Sequence, residues 1–288
     1  MALLFRQLTL CGVGLIGGSL GLMARKQGLV ERIVGLGRTQ ANLDVALERG
    51  IIDIATRDPE VAARGADVVM LATPVMTFPA ALRALVPYLP KSAVITDVGS
   101  VKSWVVRELE PLLGPEMALV GAHPIAGKET TGAIAADEEL YLDRRVIITP
   151  SARSTPEAVE KIETLWRATG ARVERMAPAA HDAILARASH LPQLAASALA
   201  AALAEERVEG RWAAEFGAGG LRDTTRIAAS SAEMWRDICL TNRAAILEAA
   251  HLQAASFAEF IEAIEAADGP RLIELFERGR RMRAQLQS

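Results

Sequence analysis

The chain has 288 residues and a formal net charge of −3, with 51% hydrophobic and 23% charged residues. Such a length and composition suit two domains with sizeable buried cores. The slight negative charge, the 4% of aromatic residues and the lack of a long lysine or arginine run argue against a surface that binds nucleic acid.

No targeting or membrane segment is predicted. Residues 1–14 are apolar but lack a basic leading region and a small-residue cleavage site, so we interpret them as the first strand and its turn. Glycine, proline or charge interrupts every apolar run before the roughly 18 residues that a membrane helix needs. The two cysteines, Cys11 and Cys239, form no disulfide framework, which favours a reducing cytoplasm.

A glycine-rich segment directly follows the first predicted strand. Gly12, Gly14 and Gly17 make a G-x-G-x-x-G pattern between the β-like run 8–10 and a helix-like segment at 20–27. The first glycine permits a tight turn, the second lets the backbone approach a pyrophosphate, and the third lets helix and strand pack closely. The alternative is a plain strand-to-helix turn. We predict a dinucleotide site whose contacts in this loop are Gly12, Gly14, Leu15, Ile16 and Gly17.

Short β-branched runs then alternate with helical patterns. The predicted strands are 32–36, 67–73, 93–97, 117–122, 145–149 and 171–175, and the predicted helices are 39–49, 75–89, 101–113 and 156–169. This alternation predicts an α/β fold of the Rossmann type with a doubly wound parallel sheet. Thr73 and Pro74 end one strand at the edge where we expect the cofactor.

The character of the sequence changes beyond residue 176. Helical spacing recurs in 181–206, 231–266 and 271–287, and no strand-like run is found from residue 178 onward. We therefore predict a dinucleotide-binding domain over 1–176 and an all-α domain over 177–288. Its alanine-rich helices can pack closely and show no repeat period, which favours a homodimerisation domain over a solenoid.

The residues after the second predicted strand bear on the choice of dinucleotide. An acidic residue there would hold the ribose 2′-hydroxyl, whereas an arginine accommodates a 2′-phosphate. Here Arg38 and Thr39 follow the strand, and no acid occurs before Asp44. We predict that NADP is used at least as well as NAD. The alternative is that Arg38 is a solvated surface residue.

Four histidines are present, and none has the spacing of metal ligands, so no metal site is predicted. His123 follows a predicted strand at its carboxyl end, where open α/β sheets bind their ligands. A neutral imidazole there can accept a proton from a substrate hydroxyl while hydride leaves the same carbon. The alternative is a structural histidine.

A second histidine, His190, stands two residues before Pro192. The proline is expected to kink the helix beside it. His181 lies nine residues before His190, which on a regular helix is half a turn out of phase. We therefore expect only His190 to face the pocket.

A polar cluster follows the glycine turn at 217–220. Arg222 and Arg226 would share a helix face, with Asp223 beside them. The three residues form either a salt-bridged surface or a substrate site, since a guanidinium group binds a carboxylate bidentately.

A capping box is predicted at Ser230 and Glu233. It would start the helix that spans 231–266. Trp235 would then lie in the first turns of that helix, near the arginine cluster.

Six segments together resemble the prephenate/arogenate (cyclohexadienyl) dehydrogenase family of tyrosine biosynthesis. They are CGVGLIGGS at 11–19, TDVGSVK at 96–102, GAHPIAGKE at 121–129, SHLP at 189–192, GGLRDTTRIA at 219–228 and EMWRD at 233–237. The segments span nearly the whole chain in the family's order. The last four are far more specific than the glycine pattern.

The resemblance implies oxidative decarboxylation of prephenate or arogenate with NADP or NAD. His123 would deprotonate the 4-hydroxyl group, and Ser100 would help to orient His123 or the nicotinamide. His190 would contact polar groups of the substrate, and Arg226 would bind a substrate carboxylate. The other predicted substrate contacts are Arg222, Asp223, Trp235 and Glu129, the last at the pocket entrance near Arg226.

Two alternatives stay open. A β-hydroxyacid dehydrogenase or an imine reductase would share the glycine loop and the architecture, but would not require SHLP and GGLRDTTR together. A non-catalytic dinucleotide sensor would lose the histidine and arginine groups, which are present here. We expect no fused chorismate mutase or regulatory domain, so any tyrosine inhibition would act at the active site.

Overall fold

The computed structural model describes residues 3–286 and contains an eight-stranded sheet with the order β3-β2-β1-β4-β5-β6-β7-β8. Its strands are β1 (Phe5–Cys11), β2 (Val30–Leu36), β3 (Ile54–Thr56), β4 (Val68–Leu71), β5 (Val94–Asp97), β6 (Ala118–Pro124), β7 (Arg145–Pro150) and β8 (Arg172–Arg175). The helices on its two faces are α1 (Leu15–Lys26), α2 (Gln40–Glu48), α3 (Pro59–Ala63), α4 (Phe78–Leu85), α5 (Ser103–Leu109) and α6 (Pro156–Arg167). The predicted Rossmann fold is confirmed; β3 and α3 were not predicted.

One pair of strands departs from the parallel arrangement. Strands β1 to β6 are parallel, but β7 pairs antiparallel with β6, and β8 is parallel to β7. The cause lies in the connecting segment 125–144, which holds only a short 3₁₀ turn and no crossover helix. Without such a helix the chain cannot return to the starting edge, so β7 runs back beside β6.

The C-terminal half is helical. Its helices are α7 (Pro178–Leu185), α8 (Leu191–Ala202), α9 (Gly219–Thr225), α10 (Ala232–Thr241), α11 (Arg243–Glu265) and α12 (Gly269–Gln285), and a π-helical turn at Ala186–His190 joins α7 to α8. The only strands described after β8 are the two-residue β9 (Arg207–Val208) and β10 (Arg211–Trp212), which form an exposed hairpin. The predicted helix 231–266 is two helices that meet at Asn242. Residue 287, the last in the third predicted helix, lies outside the described part.

The hydrophobic core continues from the sheet into the helical half. On one face of the sheet, the buried residues Val101 and Val105 belong to the same cluster as Ala186, Ile238 and Ile246 of the C-terminal helices. This shared core fixes the start of α5 against α7 and the π turn. Within residues 3–286, no helix is long and apolar enough to cross a membrane.

Helices α11 and α12 expose a large apolar surface. Phe257 and Ile264 on α11, with Ile273 and Phe276 on α12, each leave more than half of their area exposed. Large exposed apolar side chains on two neighbouring helices are typical of interaction surfaces.

Candidate active site

The glycine-rich turn between β1 and α1 has the geometry that a dinucleotide requires. Gly12 has a φ of 98°, and a Cβ there would lie 2.7 Å from the carbonyl oxygen of Ala72. A Cβ at Gly17 would lie 2.4 Å from the carbonyl oxygen of Gly12, so glycine is needed for this close packing. Gly14 faces open space, since nothing in the described chain lies within 4 Å of a Cβ built there. A pyrophosphate needs this open approach to the backbone.

The amino end of α1 supplies favourable electrostatics for phosphate. Gly14 is the N-cap, and no side chain caps the helix. The main-chain N–H groups of Leu15, Ile16 and Gly17 therefore point outward at the positive end of the helix dipole. A helix start of this kind binds phosphate groups, so the five predicted residues of the loop fit a dinucleotide.

Other predicted cofactor residues lie at the carboxyl ends of β2 and β4. Arg38 is exposed after β2, and Thr39 is the N-cap of α2 with no hydrogen bond from its side chain. Oγ1 of Thr73 shares a hydrogen bond of 2.7 Å with Oγ1 of Thr77, and the N–H of Thr77 donates to the carbonyl oxygen of Pro74. These bonds fix the turn after β4 beside the glycine loop.

His123 lies near the carboxyl end of β6 and is 8% exposed. Its Nδ1 is 2.8 Å from Nε2 of His181 on α7, and Nδ1 of His181 is 2.8 Å from Oδ1 of Asp182. Asp182 also accepts hydrogen bonds from the main-chain N–H groups of Lys102 at 2.7 Å and Ser103 at 2.8 Å. A chain of hydrogen bonds thus joins the start of α5 to the end of β6.

The directions of these hydrogen bonds define the tautomer of His123. An ionised carboxylate only accepts, so Nδ1 of His181 carries its hydrogen and its Nε2 is an acceptor. Nδ1 of His123 then donates to that atom, which leaves a free lone pair on Nε2 of His123. A neutral His123 held in this way can accept a proton through Nε2.

Burial and neighbouring charges set the protonation states of these groups. Burial is the main cause that lowers the pKa of His123 well below 6.5, and His181, Lys102 and His190 lower it further. Burial also lowers the pKa of His181, although its hydrogen bond to Asp182 opposes this. For Asp182, burial raises the pKa, but the hydrogen bonds from His181 and the two main-chain N–H groups outweigh it and bring the pKa below its usual value.

His181 therefore belongs to the site, and the expectation that only His190 faces the pocket is wrong. The π-helical turn at 186–190 interrupts the helix between the two histidines. Residues in a π turn advance by a smaller angle than in an α-helix, so the expected half-turn difference in phase is not kept. His181 and His190 both lie close enough to His123 to lower its pKa. No cluster in residues 3–286 has the ligands for a metal ion.

His190 and Trp235 form a second part of the site. Their rings are 5.9 Å apart and meet edge to face. Nδ2 of Asn242 lies 3.3 Å from Nδ1 of His190 and donates to it, so Nε2 of His190 carries the hydrogen. This N–H and the indole N–H of Trp235 are buried and have no hydrogen-bond partner in the described chain. Buried donors without acceptors are uncommon, and a water molecule or a ligand oxygen would satisfy these two.

Helix α10 holds Trp235 against the cofactor-binding half, because it packs on the turn 75–77 that follows β4. The helix starts one residue later than predicted. Its N-cap is Ser231, whose Oγ accepts the main-chain N–H of Met234, whereas Ser230 bonds back into the preceding turn. The predicted capping box at Ser230 is therefore wrong by one position.

Two other predicted residues lie in the loops that follow β5 and β6. Ser100 is in the loop between β5 and α5, and Nδ1 of His123 is held by His181. Both roles expected of Ser100, to orient His123 or to contact the nicotinamide, stay predictions. Glu129 is exposed in the loop after β6, and its place at the pocket entrance stays a prediction.

The arginine cluster lies on the helical half. Arg222 and Asp223 are on α9, and Arg226 begins the 3₁₀ turn that follows it; all three are exposed. Helix α9 and this turn pack against α8, which continues from the π turn. The three side chains form no ion pair with one another in the part of the chain described, which leaves both guanidinium groups accessible to a carboxylate. Substrate binding by these residues stays a prediction.

Four residues of the hydrogen-bonded chain, His181, Asp182, Lys102 and Ser103, were not predicted as part of the site. His181 and Asp182 form a His-Asp dipeptide, and this pairing of a base with an orienting carboxylate was the signal available in the sequence. Lys102 lies in the TDVGSVK segment, but a lysine is rarely fully buried, so no sequence pattern predicted that it lies inside.

These features define a class of protein. The glycine loop takes a dinucleotide, an oriented neutral histidine lies at the carboxyl end of β6, and the helical half adds buried donors. Together they describe a two-domain NAD(P)-dependent dehydrogenase whose active site needs both halves of the chain.

Comparison with known proteins gives the family. The prephenate dehydrogenase nucleotide-binding domain matches residues 20–175, and the prephenate dehydrogenase dimerization domain matches residues 177–278. The chain therefore belongs to the prephenate dehydrogenase family, as the sequence motifs predicted.

Similar proteins cover almost the entire chain. A cyclohexadienyl dehydrogenase of Zymomonas mobilis is 34% identical over 286 residues, which are 99% of this chain and 97% of that protein. The prephenate dehydrogenase of Aquifex aeolicus, solved with hydroxyphenyl propionate and NAD+, is 32% identical with a TM-score of 0.92 over 99% of this chain and 100% of that one. Synechocystis arogenate dehydrogenase is 28% identical with a TM-score of 0.83 over 97% and 99% of the two chains.

Proposed function

We propose that this protein oxidises and decarboxylates prephenate, arogenate or both in tyrosine biosynthesis, with a nicotinamide dinucleotide as oxidant. The observation that carries this proposal is the free Nε2 of the buried His123, which the hydrogen bonds through His181 and Asp182 hold in the tautomer of a base. Membership of the prephenate dehydrogenase family supports the substrate class.

His123 moves the proton in this reaction. Its Nε2 accepts the hydrogen of the substrate 4-hydroxyl group while the ring carbon loses hydride. Bound NAD(P)+ supplies the hydride acceptor. The ring carboxylate then leaves as CO₂, and the electrons of the broken C–C bond make the ring aromatic. The phenolate oxygen takes the proton back from His123, so the histidine is neutral again at the end of the cycle.

The helical half binds the polar groups of the substrate. The buried N–H donors of His190 and Trp235 suit a carboxylate or carbonyl oxygen. Arg226 binds a substrate carboxylate, with Arg222 and Asp223 on the preceding helix in support. Glu129, on the loop after β6, closes the entrance, and an acidic side chain there favours the amino group of arogenate.

The glycine loop, Thr73 and Pro74 hold the dinucleotide, and Ser100 contacts its nicotinamide end. NADP is used at least as well as NAD, because the exposed Arg38 follows β2 and no acid occurs before Asp44. The unpaired cysteines, Cys11 and Cys239, support a reducing cytoplasmic setting.

The protein acts as a homodimer through its helical half. The apolar surface of α11 and α12 supports this proposal, since Phe257, Ile264, Ile273 and Phe276 are exposed in the single chain. The family description of residues 177–278 as a dimerization domain agrees with it.

A spectrophotometric assay of the purified protein tests the proposed function. Prephenate and arogenate are each combined with NAD+ and NADP+, and formation of the reduced dinucleotide is followed. We expect turnover in at least one combination with an NADP+ efficiency no lower than that with NAD+. Silence in all four would contradict the proposal. Sedimentation of the same preparation distinguishes dimer from monomer.

A further inference from the structure

Lys102 is a fully buried lysine beside the site, and the reaction above gives it no role. Its ammonium group contacts the carboxylate of Asp97 and donates to the carbonyl oxygen of Ala122 at 2.7 Å. Ala122 directly precedes His123. The main-chain N–H of Lys102 donates to Asp182 at 2.7 Å. One residue therefore touches β5, the end of β6 and α7.

The contacts of Asp97 are those of an ion pair. Its Oδ2 accepts from the ammonium group of Lys102 and from the N–H of Gly99 at 2.8 Å. Its Oδ1 has no hydrogen-bond partner within residues 3–286, so a hydrogen on Oδ1 would have no acceptor, and a hydrogen on Oδ2, shared with a neutral Lys102, would weaken the bond from Gly99. Burial raises the pKa of Asp97 and lowers that of Lys102, and their mutual attraction opposes both shifts. The charged pair is the form that uses these contacts.

A proton on the pair of His123 and His181, called here the histidine pair, would reverse the useful tautomer. With His181 charged, its Nε2 would donate to Nδ1 of His123, and Nε2 of His123 would carry the remaining hydrogen. The base would then be blocked without any change in the 2.8 Å separation.

We propose that Lys102 is a positioning residue that keeps the histidine pair neutral and so preserves the free Nε2 of His123. A buried positive charge that is anchored to the residue before His123 opposes the arrival of a second positive charge on the pair. The inference rests on the proposed function, in which His123 is the base.

All the charged groups that face the histidine pair contribute to this balance. Burial is the largest cause and lowers both pKa values. Lys102, in the loop before α5, lowers the pKa of His123 and that of His181. His190, in the π turn, lowers the pKa of His123. Asp182 on α7 and Asp97 on β5 raise the pKa of His181. Lys102 is the buried cation in this set, so its removal should shift the titration of the pair upward.

An NMR titration of the imidazole nitrogens, in protein with isotope-labelled histidine, tests the inference. Four histidines are few enough to assign by substitution. The variants are Lys102→Met and the double variant Asp97→Asn/Lys102→Met, which leaves no unpaired buried charge. Lys128→Met, which removes an exposed lysine paired with Asp137, is the matched control.

In the wild type we expect hydrogen on Nδ1 and none on Nε2 of His123 at about pH 7. In Lys102→Met the titration midpoint of the pair should rise by about one pH unit or more, and in the double variant it should rise by less, because Asp97, which raises the pKa of His181, is also lost. The pKa that the acid limb of the kcat/KM pH profile reports should rise with the midpoint, and the control should match the wild type. If Lys102 only joined β5 to β6, its replacement would lower the stability of the fold and leave the titration midpoint unchanged.

The proposal is overturned if wild-type His123 carries its hydrogen on Nε2, if the midpoint moves in neither folded variant, or if both variants fail to fold, since the pair is then structural. The NMR result does not depend on turnover. A wild type that is inactive with prephenate and arogenate contradicts the proposed function alone, whereas an active enzyme with an unmoved midpoint contradicts the role of Lys102 alone.

Discussion

Nδ1 of His123 and Nε2 of His181 share a hydrogen bond of 2.8 Å across 58 residues of sequence. The first histidine ends a central strand of the sheet, and the second lies on the first helix of the C-terminal half. The contact forms only when the two halves dock, so the base at Nε2 of His123 is a product of the tertiary structure. The sheet alone would leave His123 free to take either tautomer.

Replacement of His123 by asparagine should lower kcat by about 10²- to 10⁴-fold, because a positioned base is lost while the cavity stays polar. The dissociation constant of the dinucleotide should not change, since the glycine loop lies at the end of β1, three strands away in the sheet. Steady-state kinetics and cofactor titration measure both quantities.

The matched control is His251→Asn, which changes an exposed histidine on α11. It should retain wild-type kcat. An unchanged kcat in His123→Asn, or an equal loss in the control, would contradict the assignment of the base.

Asp182→Asn should lower kcat by on the order of 10²- to 10⁴-fold with little change in KM. The neutral amide no longer holds the hydrogen on Nδ1 of His181 with a negative charge. In the orientation that turns the amide nitrogen towards Nδ1, Nε2 of His181 donates to His123, and Nε2 of His123 keeps its hydrogen and cannot accept a proton. Asp143→Asn, at an exposed position, is the control and should be active. A variant with normal kcat would show that Asp182 does not determine the tautomer.

The cofactor loop was predictable because its determinants are local. Gly12, Gly14 and Gly17 lie within six residues, and the surroundings of each glycine are those that its spacing indicates. The direction of β7 was not predictable in the same way. It depends on a missing crossover helix, which a sequence pattern shows only as an irregular segment.

The histidine cluster was harder to predict because its contacts are non-local. A regular helix separates His181 from His190 by half a turn, and the π turn that changes this relation has no sequence signal beyond Pro192. The buried Lys102 depends on a contact among β5, β6 and α7, which periodicity does not report.

The stability of the fold should fall as the pH drops from 6.5 towards 4, partly through His190. Burial is the main cause that lowers its pKa from 6.5 to about 4. Between those values the unfolded chain binds a proton that the folded chain does not, so acid favours unfolding. The contribution is fully present above pH 6.5 and is lost as the pH falls through this window. Its maximum is on the order of 3 kcal/mol.

Urea unfolding of the wild type and His190→Gln at about pH 7 and about pH 5 measures this effect. The variant cannot gain a charge, so its free energy of unfolding should fall by about 2 kcal/mol less than that of the wild type between the two values. Equal losses would show that His190 keeps an ordinary pKa in the folded protein.

Arg38→Ala should raise KM for NADP+ by roughly tenfold and leave KM for NAD+ nearly unchanged, because only the phosphorylated ribose offers a partner for the guanidinium group. Initial rates with each dinucleotide give the comparison. Arg172→Ala, on the exposed edge strand β8, is the control and should alter neither constant. An equal effect on both dinucleotides would mean that Arg38 does not read the 2′-phosphate.

Arg226→Ala should raise KM for the substrate by about 10- to 100-fold with a smaller change in kcat, since a hydrogen-bonded ion pair contributes about 1.5–3 kcal/mol to binding and is made before and during the reaction. Arg222→Ala, one helical turn earlier, is the matched comparison and should have a smaller effect if Arg226 is the primary carboxylate ligand. Arg226→Lys keeps the charge but loses the planar fork, so its KM should lie between those of the wild type and the alanine variant. A large fall in kcat with unchanged KM would place Arg226 in the chemical step and contradict a role in ground-state binding.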